Sequence, residues 1–261
     1  MAKIIEIAGP AGAGKSTILK GLTQSWKENT NWIVNERLFP HQKLEPLKIS
    51  SIAQNLPYLI KNGKTNLDNR ALYEAGKRFI LQNSAYIDAY WQNLHTNYNR
   101  DLEGFDNRFD SVAKFYSKIQ KYQYIKEHST NKYVLFDEGL LHDLAGRVPV
   151  KNKILQDDNN DIEQLIQVMP LPSMLIYIDT DVDTLLERIT NRKKVINVHR
   201  KKTDDEIRSF TNKVKARMAF AKDLLQEKGV PVLSIDAKEA VSNNIKIITQ
   251  YISQLKEMQP A

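Results

Sequence analysis

Eight residues near the start of the chain read Gly9-Pro10-Ala11-Gly12-Ala13-Gly14-Lys15-Ser16. They fit the pattern G-x-x-x-x-G-K-[ST] in full, and they stand between an apolar run at 4–8 and a helical pattern at 17–26, as this pattern requires. Small residues let successive backbone N–H groups surround phosphate oxygens, and the N-terminus of the following helix adds positive potential. The loop, continued by Thr17, therefore predicts a nucleoside-triphosphate site, with the Lys15 ammonium on the β- and γ-phosphates and the Ser16 hydroxyl on Mg²⁺.

Further apolar runs of strand length recur along the chain, at 32–34, 133–136, 174–178 and 230–235, and most are followed by helical patterns. This alternation predicts an α/β protein, a three-layer P-loop fold with a mostly parallel five-stranded sheet, in one domain over residues 1–261. The long interval between the second and third strands, about 41–131, holds helical patterns near 69–99 and 106–128. It is predicted to be a helical insert, because a structureless loop of that length would be unusual.

The third apolar run ends in two acids, Asp137 and Glu138. Because parallel strands carry their ligand sites at their carboxyl ends, Asp137 is expected beside Lys15 and Ser16, where it would hold Mg²⁺ through water. The alternative is a solvated acid at the end of a strand. Glu138 would orient water in an ATP hydrolase, so the acid pair alone does not separate hydrolysis from phosphoryl transfer. The guanine-binding pattern N-K-x-D and the transporter signature L-S-G-G-Q do not occur in the sequence.

Most of the net positive charge of the chain is accounted for by one short segment. The formal net charge is +7, and residues 192–202 contain six Lys or Arg and no acid. This segment follows a helical pattern that carries Arg188, it begins with Arg192, and it precedes Thr203-Asp204-Asp205-Glu206, which is typical of a capped helix start. That helix is predicted to run to about residue 227, where Gly229 ends it.

The position of this basic segment predicts a lid at about 188–203 that closes over phosphates. Phosphoryl transfer needs positive charge near its transition state, and a mobile basic segment supplies it while excluding water. A solvated helix face is the alternative interpretation of Arg188 and Arg192. Nucleic-acid binding would instead predict a dispersed basic face, and no nucleic-acid reader motif occurs in the sequence, so we expect no nucleic-acid partner.

The composition of the 261 residues excludes several classes of protein. Hydrophobic residues make up 41% and charged residues 26%, as in an ordinary globular protein. The absence of Cys excludes disulfides, thiolate metal sites and a cysteine nucleophile. Glu6 interrupts the apolar stretch that a signal peptide would need, and the longest apolar runs are too short to cross a bilayer. We therefore expect a cytoplasmic protein with no membrane partner; its oligomeric state stays open, a homodimer included.

With these features the chain resembles the P-loop nucleoside and nucleotide kinases, in particular the deoxynucleoside kinase and thymidylate kinase branch. The resemblance rests on the P-loop, the strand that ends in Asp137 and nearly everything in 174–252. It implies that Arg188 and Arg192 close over the phosphates with the lid. It also implies that the turn Asp236-Ala237 lies against the adenine of ATP.

The acceptor side of the resemblance is less complete. Kinases of this family place a Glu at the end of the second strand as the base toward the acceptor hydroxyl, and Glu36 stands at the corresponding point. They also carry an acid–Arg pair followed by Ser, Tyr or His after the third strand, where this chain has Asp137-Glu138-Gly139. Arg37 and Arg147 are candidates to replace the missing arginine, and Glu138 is itself an acceptor-side candidate.

One helical face in the insert supplies further acceptor-side candidates. Arg78, Gln82 and Tyr86 recur at four-residue steps, which places them on one face of a helix. That face could hydrogen-bond to and stack on a base or a sugar, and the many aromatic residues between 73 and 124 would suit any cyclic acceptor. The alternative is a packing interface with one buried aromatic ring.

Three functional hypotheses follow. The leading one is a kinase that uses ATP and Mg²⁺ to phosphorylate a small-molecule acceptor, with a nucleoside or nucleotide favoured. The second is a kinase of the same fold that acts on a sugar or another non-nucleotide acceptor, and it is suggested by Asp137-Glu138-Gly139. The third is an ATP-hydrolysing regulatory or partner-binding module in which Glu138 activates water.

Overall fold

The computed structural model describes residues 2–27, 30–35, 69–97, 108–127, 132–137, 139–145, 150–151, 154–155, 159–191 and 203–258. The strands in these ranges are β1 Lys3–Ala8, β2 Trp32–Val34, β3 Tyr133–Asp137, β4 Val150–Lys151, β5 Ile154–Leu155, β6 Met174–Asp179 and β7 Val232–Asp236. The helices in these ranges are α1 Lys15–Ser25, α2 Asn69–Gln82, α3 Ser84–Asn97, α4 Arg108–Glu127, α5 Leu140–Ala145, α6 Asn160–Val168, α7 Val182–Thr190, α8 Asp204–Glu227 and α9 Val241–Met258.

Five of the strands form one parallel sheet in the order β2-β3-β1-β6-β7. β1 is central, because Ile7 pairs with Asp137 on one side and with Ile176 on the other. The chain therefore leaves β1 at Gly9 on the carboxyl edge of the sheet, which is where open α/β sheets bind ligands. β4 and β5 form a separate antiparallel pair. The predicted α/β class with a five-stranded parallel sheet is confirmed.

The alternation of side chains along β1 divides the hydrophobic core into two clusters. Ile5 and Ile7 face α1, α7 and α9, where their cluster includes Leu22. Ile4 and Ala8 face the opposite side and belong to the cluster formed with α2 to α6 and α8. The sheet thus lies between two helical layers, which is the predicted three-layer arrangement.

Aromatic side chains hold the insert helices together and attach them to the sheet. The rings of Tyr90 and Phe115 stack, with centroids 3.6 Å apart and an interplanar angle of 11°. Phe79 contacts Tyr122 edge-on, and Tyr122 contacts Phe136 of β3 in the same way. All five residues are buried. These rings fill the core between the insert and the sheet, so they are not available to a cyclic acceptor.

The predicted helical stretch at 69–99 is two helices, which meet at Asn83. The Asn83 side chain donates from Nδ2 to the Phe79 carbonyl oxygen at 2.9 Å. The Asn83 N–H donates to the same carbonyl oxygen at 2.9 Å, and the Ile87 N–H donates to the Asn83 carbonyl oxygen at 3.1 Å, so backbone hydrogen bonds continue on both sides of the boundary. The sequence pattern alone did not reveal this boundary, because the apolar periodicity continues across it.

The predicted ends of α8 are confirmed. Thr203 Oγ1 accepts the Glu206 N–H at 3.3 Å, and Glu206 Oε2 accepts the Thr203 N–H at 2.7 Å, which is a capping box. Gly229, after the helix, has a φ of 81°. β7 begins at Val232 rather than at 230, because the Val230 N–H donates to the Leu225 carbonyl oxygen at 3.0 Å and still belongs to the turn that ends α8. In the described part of the chain, every helix is too short or too polar to cross a membrane.

Candidate functional site

The glycine-rich loop after β1 packs closely against β6 and α7. A Cβ atom at Gly9 would lie 2.2 Å from the Ile178 carbonyl oxygen, and one at Gly12 would lie 2.9 Å from the Leu185 carbonyl oxygen. Gly12 also has a φ of 87°, which residues with side chains rarely adopt. The loop therefore requires glycine for its own packing as well as for the approach of phosphate to its backbone.

Lys15 begins α1 and bends back onto the loop. Its Nζ donates to the carbonyl oxygens of Gly9 at 2.7 Å and Pro10 at 3.1 Å, and the residue is only 8% exposed. Ser16 and Thr17, which follow it in the helix, are exposed. Gly14, at the N-cap, has no side chain that could cap the first N–H groups of the helix. The ammonium and the helix N-terminus together concentrate positive charge at the loop, as phosphate binding requires. 

Asp137 ends β3 beside the strand that leads into the loop. It pairs in register with Ile7 of β1, and it is partly buried. Its carboxylate and the exposed Ser16 hydroxyl are oxygen ligands of the kind that Mg²⁺ binds. Within the described ranges, no group of three or more His, Asp or Glu lies close enough to hold a metal ion. A magnesium ion at a P-loop needs no such group, because water and phosphate oxygens complete its coordination.

Arg188 connects the loop to the turn that follows β7. Its Nη2 donates to the Ala237 carbonyl oxygen at 2.9 Å, and its Nη1 lies 3.5 Å from the Gly12 carbonyl oxygen. The Ala237 N–H in turn donates to the Asp179 carbonyl oxygen at 2.8 Å, which ties the turn to the end of β6. The structure thus brings together three of the residues singled out from the sequence, Gly12, Arg188 and Ala237.

Two polar contacts that the sequence analysis missed support the same turn. The buried Asn244 donates from Nδ2 to the Asp236 carbonyl oxygen at 2.9 Å. Lys238 forms a 2.8 Å ion pair with Asp181, which also accepts the Thr184 N–H at 2.9 Å and so caps α7. The hydrogen bond from Lys238, and after it those from Thr184, hold the pKa of Asp181 well below its ordinary value. The cap at Asp181 has a sequence signal, an acid just before a helix, whereas the roles of Lys238 and Asn244 depend on tertiary contacts.

Behind the loop, β1 and α5 bring together two ionisable side chains that were also missed. Glu6 is 1% exposed, and its Oε1 accepts the N–H groups of Leu141 and His142 at 2.7 and 3.3 Å. The pKa of the His142 imidazole lies well below its ordinary value of 6.5, first because of burial and then because of the positive charges of Lys15 and Lys118. His142 is therefore neutral at pH 7. The sequence signal that could have found Glu6 is an acid inside an otherwise apolar strand.

Two of the acceptor-side candidates, Arg78 and Gln82, lie in a polar network between α2 and α4. Arg78 donates from Nε and Nη2 to the two carboxylate oxygens of Glu127, at 2.7 and 2.6 Å. Gln123 donates to Gln82 Oε1 at 3.0 Å and to Glu127 Oε1 at 2.9 Å. The hydrogen bond to Glu127 is the main reason why the pKa of Arg78 is raised above its ordinary value.

Tyr86 lies apart from that network, in the aromatic core. It belongs to α3, it is fully buried, and its ring contacts those of Phe79 and Phe115. The three predicted face residues therefore do not form one open surface, because a helix boundary at Asn83 separates Tyr86 from the other two and its ring points into the core. For Tyr86 the structure fits the packing alternative, and a role for Arg78 or Gln82 toward an acceptor stays a prediction.

The remaining candidates lie outside the described residues, and their roles stay predictions. They are Glu36, Arg37, Glu138, Arg147 and Arg192, together with the lid segment 192–202.

Comparisons with known proteins returned similar solved structures only. No family model and no curated protein matches the chain. A structure of deoxyadenosine kinase from M. mycoides with bound dATP is similar with a TM-score of 0.48 and 15% identity, over 96% of this chain and 99% of that chain. Structures of the same kinase with the products dCMP and a flexible dCDP (TM-score 0.49, 16% identity, 97% and 99%) and with dCTP (TM-score 0.44, 16% identity, 96% and 99%) are similar as well. At these values the likeness concerns the fold and carries no conclusion about activity.

Proposed function

We propose that the protein is a phosphotransferase that uses ATP and Mg²⁺ to phosphorylate a small molecule, with a nucleoside or nucleotide as the acceptor. The observation that carries the proposal is the connection that Arg188 makes between the carbonyl oxygens of Gly12 and Ala237. This connection joins the glycine-rich loop to the turn after β7. A bound nucleotide would use the loop for its phosphates and the turn for its base. The chain would act as one domain, with the insert at about 41–131 and the lid at about 188–203.

On the donor side, Lys15 would exchange its contacts with the Gly9 and Pro10 carbonyl oxygens for oxygens of the β- and γ-phosphates. The backbone N–H groups of residues 12–17 would surround the same phosphates. The adenine would lie against the turn of Asp236 and Ala237. Asn244 and Arg188 hold that turn, which would keep the two ends of the nucleotide site at a constant separation.

Magnesium would bind at Ser16 directly and at Asp137 through water. The fit is supported by the donor set, one hydroxyl and one carboxylate at the same edge of the sheet, since Mg²⁺ keeps several waters and binds few protein ligands beside phosphates. When bound, the ion neutralises charge on the phosphates. Ser16 and Asp137 would fix its position relative to the loop.

The transfer step would depend on charge and on one base. Glu36 would accept the proton of the acceptor hydroxyl, and Arg188 and Arg192 would stabilise negative charge on the transferred group. The acceptor would contact four of the residues singled out from the sequence: Arg37, Arg78, Gln82 and Glu138.

The test is a panel of nucleosides, nucleoside monophosphates and sugars, each incubated with ATP and Mg²⁺ while ADP release is followed. We expect acceptor-dependent ADP release with at least one nucleoside or monophosphate and none with the Lys15→Ala variant. Turnover of a sugar without turnover of nucleosides would move the acceptor to the non-nucleotide class. No acceptor-dependent release from any member of the panel would contradict the proposal.

An ATP-hydrolysing module is distinguished in the same assay without acceptor. If Glu138 activates water, Glu138→Ala abolishes the acceptor-independent ADP release. A phosphotransferase instead keeps this slow background in the Glu138→Ala variant.

A further inference from the structure

β1 carries a buried carboxylate in its interior. Glu6 is 1% exposed and points to the same face of the sheet as Ile4 and Ala8, which belong to the hydrophobic cluster formed with the insert. An ionised carboxylate in such surroundings is costly unless hydrogen bonds satisfy it. Its partners should therefore reveal why the strand has an acid here.

Two backbone N–H groups at the start of α5 are among these partners. Glu6 Oε1 accepts the N–H of Leu141 at 2.7 Å and that of His142 at 3.3 Å. These are the N–H groups that the residue before a helix usually caps with its side chain. In this chain that residue is Gly139, which has no side chain, because α5 begins at Leu140. The cap comes instead from the neighbouring strand.

Gly139 and Glu6 are fitted to one another. A Cβ atom at Gly139 would lie 2.3 Å from Glu6 Cδ and 2.6 Å from Glu6 Oε2. The φ of Gly139 is not in the left-handed region, so space rather than backbone conformation requires glycine. A serine at position 139 would cap α5 with its own hydroxyl but would displace the Glu6 carboxylate. The helix can therefore be capped either by Glu6, with glycine at 139, or by the side chain of residue 139, but not by both.

The capped helix begins close in the chain to Asp137, the candidate magnesium ligand. Asp137, the last residue of β3, pairs with Ile7, and Glu6 pairs with Phe136. From Glu6 the strand continues to the glycine-rich loop, which begins at Gly9. A single side chain thus connects the strand that leads into the glycine-rich loop with the start of α5, the helix that follows β3 and Asp137.

We propose that Glu6 is a positioning residue for phosphoryl transfer: by capping α5 from the neighbouring strand, it sets the place of Asp137 relative to the glycine-rich loop. The proposal rests on the proposed function, because the place of Asp137 affects catalysis only in an enzyme that uses it. Loss of the cap lets the start of α5 and the carboxyl end of β3 move, and a displacement of about 1 Å in a site that holds magnesium is enough to lower the rate strongly.

The experiment compares Glu6→Ala, Glu6→Gln, Gly139→Ser and Glu6→Ala/Gly139→Ser, with Ile4→Ala as the matched control. Ile4 is a buried residue on the same strand and the same face, so its truncation lowers stability without removing the cap. We expect Glu6→Ala to lower kcat about tenfold and to raise the Mg²⁺ concentration for half-maximal rate severalfold, with KM for ATP changed less than about twofold. Hydrogen exchange of the Leu141 and His142 amides should accelerate about tenfold or more in the same variant.

The rescue variants separate positioning from general stability. Glu6→Gln keeps an acceptor oxygen and should stay near the wild-type Mg²⁺ dependence. Alone, Gly139→Ser should lower kcat and amide protection. In the Glu6→Ala background it should restore part of both, because the serine hydroxyl then caps α5. Equal behaviour of Glu6→Ala and Ile4→Ala, or a double variant no better than Glu6→Ala, would overturn the proposal.

Two provisions keep the outcomes distinct. If Glu6→Ala does not fold, Gly139→Ala is compared in the wild-type and Glu6→Asp backgrounds. The shorter acid leaves room for the new Cβ atom, so Gly139→Ala should lower kcat and amide protection less in the Glu6→Asp background. Equal losses in the two backgrounds would contradict the close packing of Glu6 against Gly139.

If no acceptor is found, the Mg²⁺ dependence of binding of a non-hydrolysable ATP analogue is measured in place of kcat. Failure of the acceptor panel with an intact Glu6 effect rejects the proposed function alone, whereas an absent Glu6 effect rejects the positioning role.

Discussion

The proposed donor side and the proposed acceptor side of this protein are built from different kinds of contact. The proposed donor side is the loop at 9–17 with the turn at 236–237, and most of its side-chain hydrogen bonds end on backbone oxygens. Lys15 reaches the carbonyl oxygen of Gly9, and Arg188 reaches that of Ala237. Backbone groups are present whatever the residue, so a short local pattern is enough to specify such a site.

The acceptor side, which is the layer formed by α2 to α6 and α8, depends on pairs of side chains that are distant in the sequence. The Arg78–Glu127 ion pair and the stacked rings of Tyr90 and Phe115 are examples. Each such contact requires two particular residues to meet, and the sequence around one residue does not indicate which residue is its partner. We therefore expect changes on the donor side to affect activity first, and changes on the acceptor side to affect stability first.

The largest effect is expected for Lys15→Ala. Loss of a cation that contacts the transferred phosphates lowers kcat/KM by about 10³-fold, while the free energy of unfolding changes by about 1 kcal/mol or less. Steady-state kinetics and urea denaturation measure the two quantities. Lys20→Ala, an exposed lysine of the same helix, is the control and should match the wild type. Comparable losses of activity in both variants would show that the loop does not act through Lys15.

The next effect concerns a buried ion pair in the acceptor-side layer. Arg217 of α8 is 3% exposed and donates to Asp161 of α6 at 2.6 Å, and Asn93 of α3 donates to the same oxygen at 2.9 Å. Arg217→Met leaves Asp161 without its cation and should lower the free energy of unfolding by about 3 kcal/mol.

Urea denaturation of Arg217→Met is compared with that of Arg208→Met, which removes an exposed 2.7 Å pair with Asp183. The exposed pair should contribute less than about 1 kcal/mol. An equal decrease in the free energy of unfolding in both variants would contradict the view that buried polar contacts stabilise this layer more than exposed ones.

A smaller effect is expected from pH, through His142. Burial keeps the pKa of His142 well below 6.5 in the folded protein, so below that pH the unfolded chain binds a proton that the folded protein does not. Stability should therefore fall as the pH decreases from 7 to 5, by at most about 1.4 kcal/mol per pH unit from this group. His142→Gln should flatten the profile relative to the wild type. His95→Gln, which changes an exposed histidine, serves as the control and should have the stability profile of the wild type. Parallel profiles for the wild type and His142→Gln would show that His142 does not cause the pH dependence.

The smallest effect is expected for Arg78→Ala. The side chain is 43% exposed, and solvent screens its ion pair with Glu127, so the loss of this pair should change stability very little. If Arg78 contacts the acceptor as proposed, KM for the acceptor rises severalfold while KM for ATP does not. Lys77→Ala, which removes the neighbouring exposed pair with Glu74, serves as the control. An unchanged KM for the acceptor would show that Arg78 acts only in the polar network between α2 and α4.

Much of the fold was predictable because its signals are local. The apolar run before Gly9, the pattern through Ser16 and the capping box at Thr203 each act within a few residues, and each was placed correctly. The boundary at Asn83 was not predictable, because a side chain that bonds to the Phe79 carbonyl leaves the apolar periodicity intact. Glu6 was visible as an acid in a strand, but its role depends on Gly139, which is remote in the sequence.

The amino-acid sequence by itself determined a parallel α/β sheet with a glycine-rich loop at the end of its first strand, because backbone geometry and hydrophobic periodicity specify both over short distances. The tertiary structure decided which side chains share a site. It placed Arg188 between the loop and the turn after β7, buried Tyr86 in the core, and brought Glu6 to the start of α5. Strand order and helix packing bring such residues together, and no spacing along the chain encodes those distances.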